Sequence, residues 1–71
     1  MTEQERKQTV LRFVHKLHPR EKQVLLLRLE EGLSYQEIAA VTGRSEGNVG
    51  NLLHHAVRKL SLALTQAGAI S

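Results

Sequence analysis

Between Val49 and Leu64 apolar side chains return every three or four positions: Val49, Leu52, Leu53, Ala56, Val57, Leu60 and Leu64. That spacing gathers one buried stripe on a helix of roughly five to six turns, with Ser45 placed to cap its start. Upstream, Thr2 followed three residues later by Glu5 reads as a capping box, and Val10, Leu11, Val14 and Leu17 then recur at helical spacing. A first helix running to about Leu17 follows, stopped by Pro19. Proline suits the first turn of a helix because its missing N–H is not needed there, so a second helix is expected from Pro19 to Glu31. Its apolar set is Val24, Leu25, Leu26, Leu27 and Leu29, broad enough for the centre of a core, and Gly32 supplies a left-handed exit. Ser34 and Glu37 form another capping box, opening a short helix through about Thr42 that Gly43 closes. No alternating β-branched run and no Asn-Gly hairpin turn occurs. The expected fold class is therefore all-α: four helices in one domain over residues 1–71, with a helix-turn-helix at about 34–66.

The third and fourth helices meet across "TGRS". A helix-turn-helix needs a small residue where the axes cross, a residue free to adopt positive φ in the turn, and an apolar residue on the second helix to lock the angle. Ala39, Gly43 and Val49 meet those needs, and Ile38 and Leu52 complete the joint. If Val49, Leu52, Leu53, Ala56, Val57 and Leu60 face inward, then Glu46, Gly47, Asn48, Gly50, Asn51, His54, His55 and Arg58 face outward. The N-terminal part of a recognition helix enters the major groove, which sets Ser45, Glu46, Asn48 and Asn51 nearest base edges and His54, His55, Arg58 and Lys59 nearer phosphates. Asn pairs bidentately with adenine, and Glu accepts from cytosine N4. Gly47 and Gly50 each cost roughly 1 kcal/mol in an exposed helix interior relative to Ala, which either a close approach of backbone to a partner or drift on a surface under little pressure would account for. Against this stands a plain all-helical bundle that binds no DNA.

Composition sharpens the picture. Seventy-one residues with 41% hydrophobic content, one Pro and no Cys describe a chain that relies on packing rather than on disulfides or thiolate-held zinc. A reducing, cytoplasmic setting is expected, since no apolar run approaches the roughly 20 residues of a membrane span and "MTEQERKQ" lacks the apolar stretch of a signal peptide. Ten Lys and Arg against seven Asp and Glu give a net charge of +3, compatible with an acidic partner. The bases are unevenly placed: beyond residue 31 only Arg44, Arg58 and Lys59 remain, against Glu37 and Glu46. The half that resembles a reader is nearly neutral.

Residues 17–60, "LHPREKQVLLLRLEEGLSYQEIAAVTGRSEGNVGNLLHHAVRKL", resemble region 4, the C-terminal promoter-reading domain of bacterial sigma-70-type factors, and most of all its extracytoplasmic-function group. The specific parts are "PRE" leading into "VLLLRLEEGLSYQEIA", then "TGRSEGNV", then "LHHAVRKL". The resemblance implies a four-helix domain that reads the promoter −35 element of double-stranded DNA through its fourth helix, while its first helices hold the β flap of RNA polymerase core. It implies DNA-facing roles for Ser45, Glu46, Asn48, Gly50, Asn51, His54, His55 and Arg58, and phosphate contacts for Ser34, Tyr35, Arg44 and Lys59. Three positions depart from the family pattern: Gly50 stands where Lys or Arg is common, His55 where Arg is frequent, and His18 where Leu usually precedes Pro. Because phosphate neutralisation supplies most non-specific affinity, such a helix should bind free DNA weakly and rely on tethering by the polymerase. A complete factor also needs a second domain for the −10 element, so the chain is expected to be either an excised region 4 or a small protein made of that domain alone.

Other functions find less support. His15 and His18 straddle the approach to Pro19, and His54 and His55 are adjacent on a helix, so neither pair forms a metal site; no metal and no cofactor are expected. Protonation of His54 or His55 in mild acid would strengthen phosphate contact. There is no glycine-rich phosphate loop or nucleophile elbow, and Glu30 with Glu31 is a solvated pair before Gly32, so the chain is not expected to be an enzyme. Phe13 and Tyr35 are the only aromatics, too few for stacking on single strands. The alternatives are an interaction module binding the polymerase flap, an anti-sigma factor or another regulator with little DNA contact, and a LuxR-type response-regulator output domain. Self-association through Leu62, Ala63, Leu64, Ala67, Ala69 and Ile70 is a further reading of the tail, although "TQAGAIS" is expected to fray.

Overall fold

A computed structural model describes residues 2–66 and 68. Four α-helices follow one another: α1 (Glu3–Val14), α2 (Pro19–Leu29), α3 (Tyr35–Thr42) and α4 (Glu46–Gln66). At 1.5 Å per residue α4 is about 31 Å long, which accounts for most of the 36 Å long axis of the molecule. All three other helices pack on α4, α2 most extensively and α3 next.

Each helix begins where the chain supplies a cap. The Thr2 hydroxyl accepts from the Glu5 N–H at 3.1 Å, one arm of the expected box. His18 caps α2: its Nδ1 accepts from the Arg20 N–H at 3.3 Å, and Pro19 opens the helix. Thus the departure from Leu at residue 18 has a local use. Ser34 and Glu37 form the full reciprocal box at α3, with bonds of 2.9 and 3.1 Å, and the Ser45 hydroxyl accepts from the Asn48 N–H at 3.1 Å at the head of α4.

The helix ends correct the expected boundaries. α1 stops at Val14 rather than Leu17. Pro19 forces His18 into an extended conformation, and the last turn tightens so that Lys16 and Leu17 bond back to Phe13 and Val14. α2 ends at Leu29, two residues early; Gly32 has a φ of +65°, and the Leu33 N–H returns to the Leu27 carbonyl at 3.3 Å. Arg28 Nη1 fastens the same turn by donating to the Leu33 carbonyl at 2.8 Å.

The core is built from Val14, Val24, Leu25, Ile38, Ala39, Val49, Leu53 and Ala56, with Leu52 and Leu60 partly buried beside them. Two residues expected inside are not. Val57 is 52% exposed, because 100° of rotation past the fully buried Ala56 carries it beyond the stripe. Leu29 is 55% exposed at the open end of α2. Of the tail proposed for self-association, Leu62 is exposed and Leu64 buried, while Ala67, Ala69 and Ile70 lie outside the described residues.

The polar exception in the core is Glu21, 5% exposed, whose Oε1 accepts a hydrogen bond from Lys59 Nζ at 3.0 Å. This pair ties α2 to the second half of α4 across 38 residues of sequence. A buried carboxylate deprived of its partner costs more than the pair itself contributes. Lys59→Met is therefore expected to lower unfolding free energy by about 1–3 kcal/mol, measured by urea denaturation, and the double change Glu21→Met/Lys59→Met to recover most of that loss. Equal losses in the single and double variants would show that the pair carries no such constraint.

Candidate nucleic-acid interface

α3 lies across the N-terminal half of α4, and the angle between them is set by the turn at Gly43. Its φ of +71° is left-handed, a conformation that side chains other than glycine rarely adopt. The N–H groups of both Gly43 and Arg44 return to the Ala39 carbonyl, closing α3. Ala39 and Val49 are buried where the helices cross, with Ile38 beside them. The three-residue joint read from the sequence is thus present.

Opposite the buried stripe, Glu46, Gly47, Asn48, Asn51, His54, His55 and Arg58 are all exposed on one polar strip of α4, with Ser45 exposed at its head. The rings of His54 and His55 stand edge to face with centroids 5.9 Å apart. Gly50 is only partly exposed because Tyr35 leans over it: a Cβ at residue 50 would stand 3.7 Å from Tyr35 Cε2. The close neighbour that this glycine accommodates is therefore the aromatic ring of α3. That separation is ordinary van der Waals contact, so alanine would fit and only longer side chains would press on the ring. Arg28 reaches over the other helix to set its guanidinium 5.7 Å from the Tyr35 ring centroid, a favourable arrangement for a cation over a π-face. Ser34 is exposed beside it, its oxygen occupied by the α3 cap.

Two of the cations expected at phosphates also bond within the protein. Arg44 is half-buried and Nη1 donates to Asn48 Oδ1 at 3.0 Å. Lys59 is bonded to Glu21. Among the described residues of α4, Arg58 is the remaining cation and is exposed. The Glu21–Lys59 pairing was not legible in advance, the two being far apart in the chain, whereas Arg44 and Asn48 stand four residues apart across a helix start, a spacing that offered a hint. A second feature missed from the sequence is an apolar groove between α1 and the end of α2, lined by Val10, Leu11 and Leu29 and edged by Glu3, Arg6, Lys7 and Glu30. Among the described residues no group of three or more His, Asp or Glu is arranged to hold a metal ion, and no helix is long and apolar enough to cross a membrane.

A short capped helix set by a left-handed turn across a longer helix with a polar outer strip is a helix-turn-helix, a class built for duplex DNA. The chain belongs to the sigma-70 region 4 family, whose profile, described as Sigma-70, region 4, matches residues 7–60. It is 38% identical over 55 residues to the ECF RNA polymerase sigma factor BldN of Streptomyces coelicolor. That match covers 78% of the chain and 21% of the relative, so the chain spans about one fifth of the relative's length. The family is one of DNA-binding transcription domains, not of enzymes.

Because the box at Ser34 and Glu37 positions α3, its protonation state matters. The Ser34 backbone N–H, and then its side chain, hold the Glu37 carboxyl below the usual glutamate range, with desolvation opposing weakly. A carboxyl lowered in the folded state stabilises it above the ordinary glutamate range, and that contribution is lost as pH falls through the lowered value. Thermal melts from neutral to acidic pH should accordingly show an acid-side decline that is shallower in Glu37→Gln. An unchanged acid limb in the variant would remove the box from the account of acid stability.

Proposed function

We propose that this chain recognises a promoter −35 element in the major groove through the polar strip of α4, while its α1–α2 groove is held by the β flap of RNA polymerase. The observation that carries the reading is the strip itself: a capped helix start presenting Asn48 and Asn51, side chains that read base edges, with the phosphate-binding charge confined to few groups. Ser45 and Glu46 enter the groove with them, His54, His55 and Arg58 follow the flanking backbone, and Ser34 and Tyr35 approach phosphates from α3. The flap supplies an apolar helix or loop to cover Val10, Leu11 and Leu29, which accounts for the exposure of Leu29. Tethering then raises the local concentration of promoter DNA enough to offset the weak charge of the reading helix.

The same groove, together with the hydrogen bonds that Arg44 and Lys59 make to other residues of the protein, favours as a second reading an interaction module that binds the flap or an anti-sigma factor and touches DNA little. The two are separated by titrating a fluorescent −35 duplex with the chain alone and with RNA polymerase core, at two salt concentrations. The reader is expected to show sequence-selective binding that strengthens with core. Asn51→Ala should lose about 1–3 kcal/mol at a single base pair, and Arg58→Ala should make the log–log salt slope shallower by about 1. Core binding without any sequence preference would establish the interaction module instead.

A further inference from the structure

We propose that Arg44 is a positioning residue rather than a phosphate contact: it fixes the Asn48 amide with its NH2 group outward, so that Asn48 selects guanine while Asn51 selects adenine at a neighbouring base pair. This rests on the reading of α4 as a major-groove helix. A guanidinium has five donors and no acceptor, so the atom it meets at 3.0 Å can only be the amide oxygen of Asn48. The Asn48 backbone is fixed as well, its N–H donating to the Ser45 cap. Arg44 Nε is buried and makes no hydrogen bond, so the base of the guanidinium lies against the protein while Nη1 holds Asn48. Its backbone N–H, bonded to the Ala39 carbonyl at 3.0 Å, holds the residue in the turn.

The consequence is chemical. Bidentate reading of adenine requires an asparagine to accept from N6 and donate to N7 at once. At Asn48 one of the two lone pairs of the amide oxygen is taken by a cation, and an adenine amino group approaching the other would meet the positive charge of the Arg44 guanidinium at close range. The two N–H donors of Nδ2 stay free, and the base edge that answers donors alone is guanine, with acceptors at both N7 and O6. Asn51 is exposed and neither end of its amide is hydrogen-bonded among the described residues, so it keeps the full adenine pattern. Three residues of helix separate the two asparagines by about 4.5 Å along the axis, suited to adjacent base pairs.

The test is selection of the 71-residue chain against a library of randomised short duplexes at low salt, followed by titration of the enriched sequence. Wild type is expected to enrich guanine next to adenine, with guanine favoured over adenine at its position by roughly 5-fold or more. Asn51→Ala should erase the adenine preference only. Asn48→Asp, which keeps a partner for Arg44 but presents acceptors alone, should move the guanine preference to cytosine or adenine, and Arg44→Met should let adenine bind as well as guanine. Replacing that guanine by 7-deazaguanine should weaken wild-type binding without any change of protein, which keeps the test decisive if Arg44→Met fails to fold. Enrichment of adenine at the Asn48 position, or a preference there unmoved by Asn48→Asp and by 7-deazaguanine, overturns the orienting role while promoter reading stands. No enrichment by wild type, with or without polymerase core, overturns the DNA-reading function itself.

Discussion

One stripe of apolar side chains on α4 serves as the floor for every other helix in the molecule. Val49, Leu53 and Ala56 are buried along it, with Leu64 further on, and α1, α2 and α3 reach one another chiefly by way of that helix. The consequence is geometric: packing consumes one side of α4 and leaves its other side polar and free over the whole N-terminal half. A recognition surface is thus the complement of the core, and any change that rotates the stripe rotates the surface with it. Gly43 completes the constraint, because the left-handed turn directs the chain from the end of α3 into the start of α4.

Charge obeys the same economy. The bases of the helix-turn-helix are few, and two of them do internal duties: Lys59 neutralises the carboxylate that α2 buries against α4, and Arg44 engages the amide of Asn48. A residue's sign therefore says less about its partner than its reach does. Lys59 has a long stem that reaches a buried acid at 3.0 Å while more than half of its side chain stays exposed. Tyr35 illustrates the converse. It brings no charge, but its ring over Gly50 and beneath Arg28 carries a cation from α2 to the margin of the reading strip.

The order of the helices, their caps at Ser34 and Ser45, and the crossing at Ala39, Gly43 and Val49 were legible in the sequence because each depends on residues within one or two turns of one another. The outward strip was legible for the same reason: a 3.6-residue period assigns faces without knowledge of neighbours. Val57 and Leu29 were misplaced because period alone does not say how wide a stripe the other helices cover or where their ends fall. Glu21 with Lys59 was invisible, since nothing local marks a pair separated by one helix and two turns. The groove beside Leu29 was hidden for a related reason, as it exists only because the fold brings α1 alongside the end of α2.

A weakly charged reading helix has a physical merit that follows from this architecture. Non-specific affinity grows with each phosphate neutralised, whereas discrimination between bases comes from the donors and acceptors that enter the groove. A strip of amides, imidazoles and glycine separates the two terms: it retains the base-reading groups and reduces the part that every sequence shares. Such a surface is useful only when something else brings it to DNA, and on the proposed reading the apolar groove between α1 and the end of α2 is where that tether acts. Adding cations along α4 would raise affinity for all DNA alike, and on the proposed reading the domain would gain occupancy at the expense of choice among sequences.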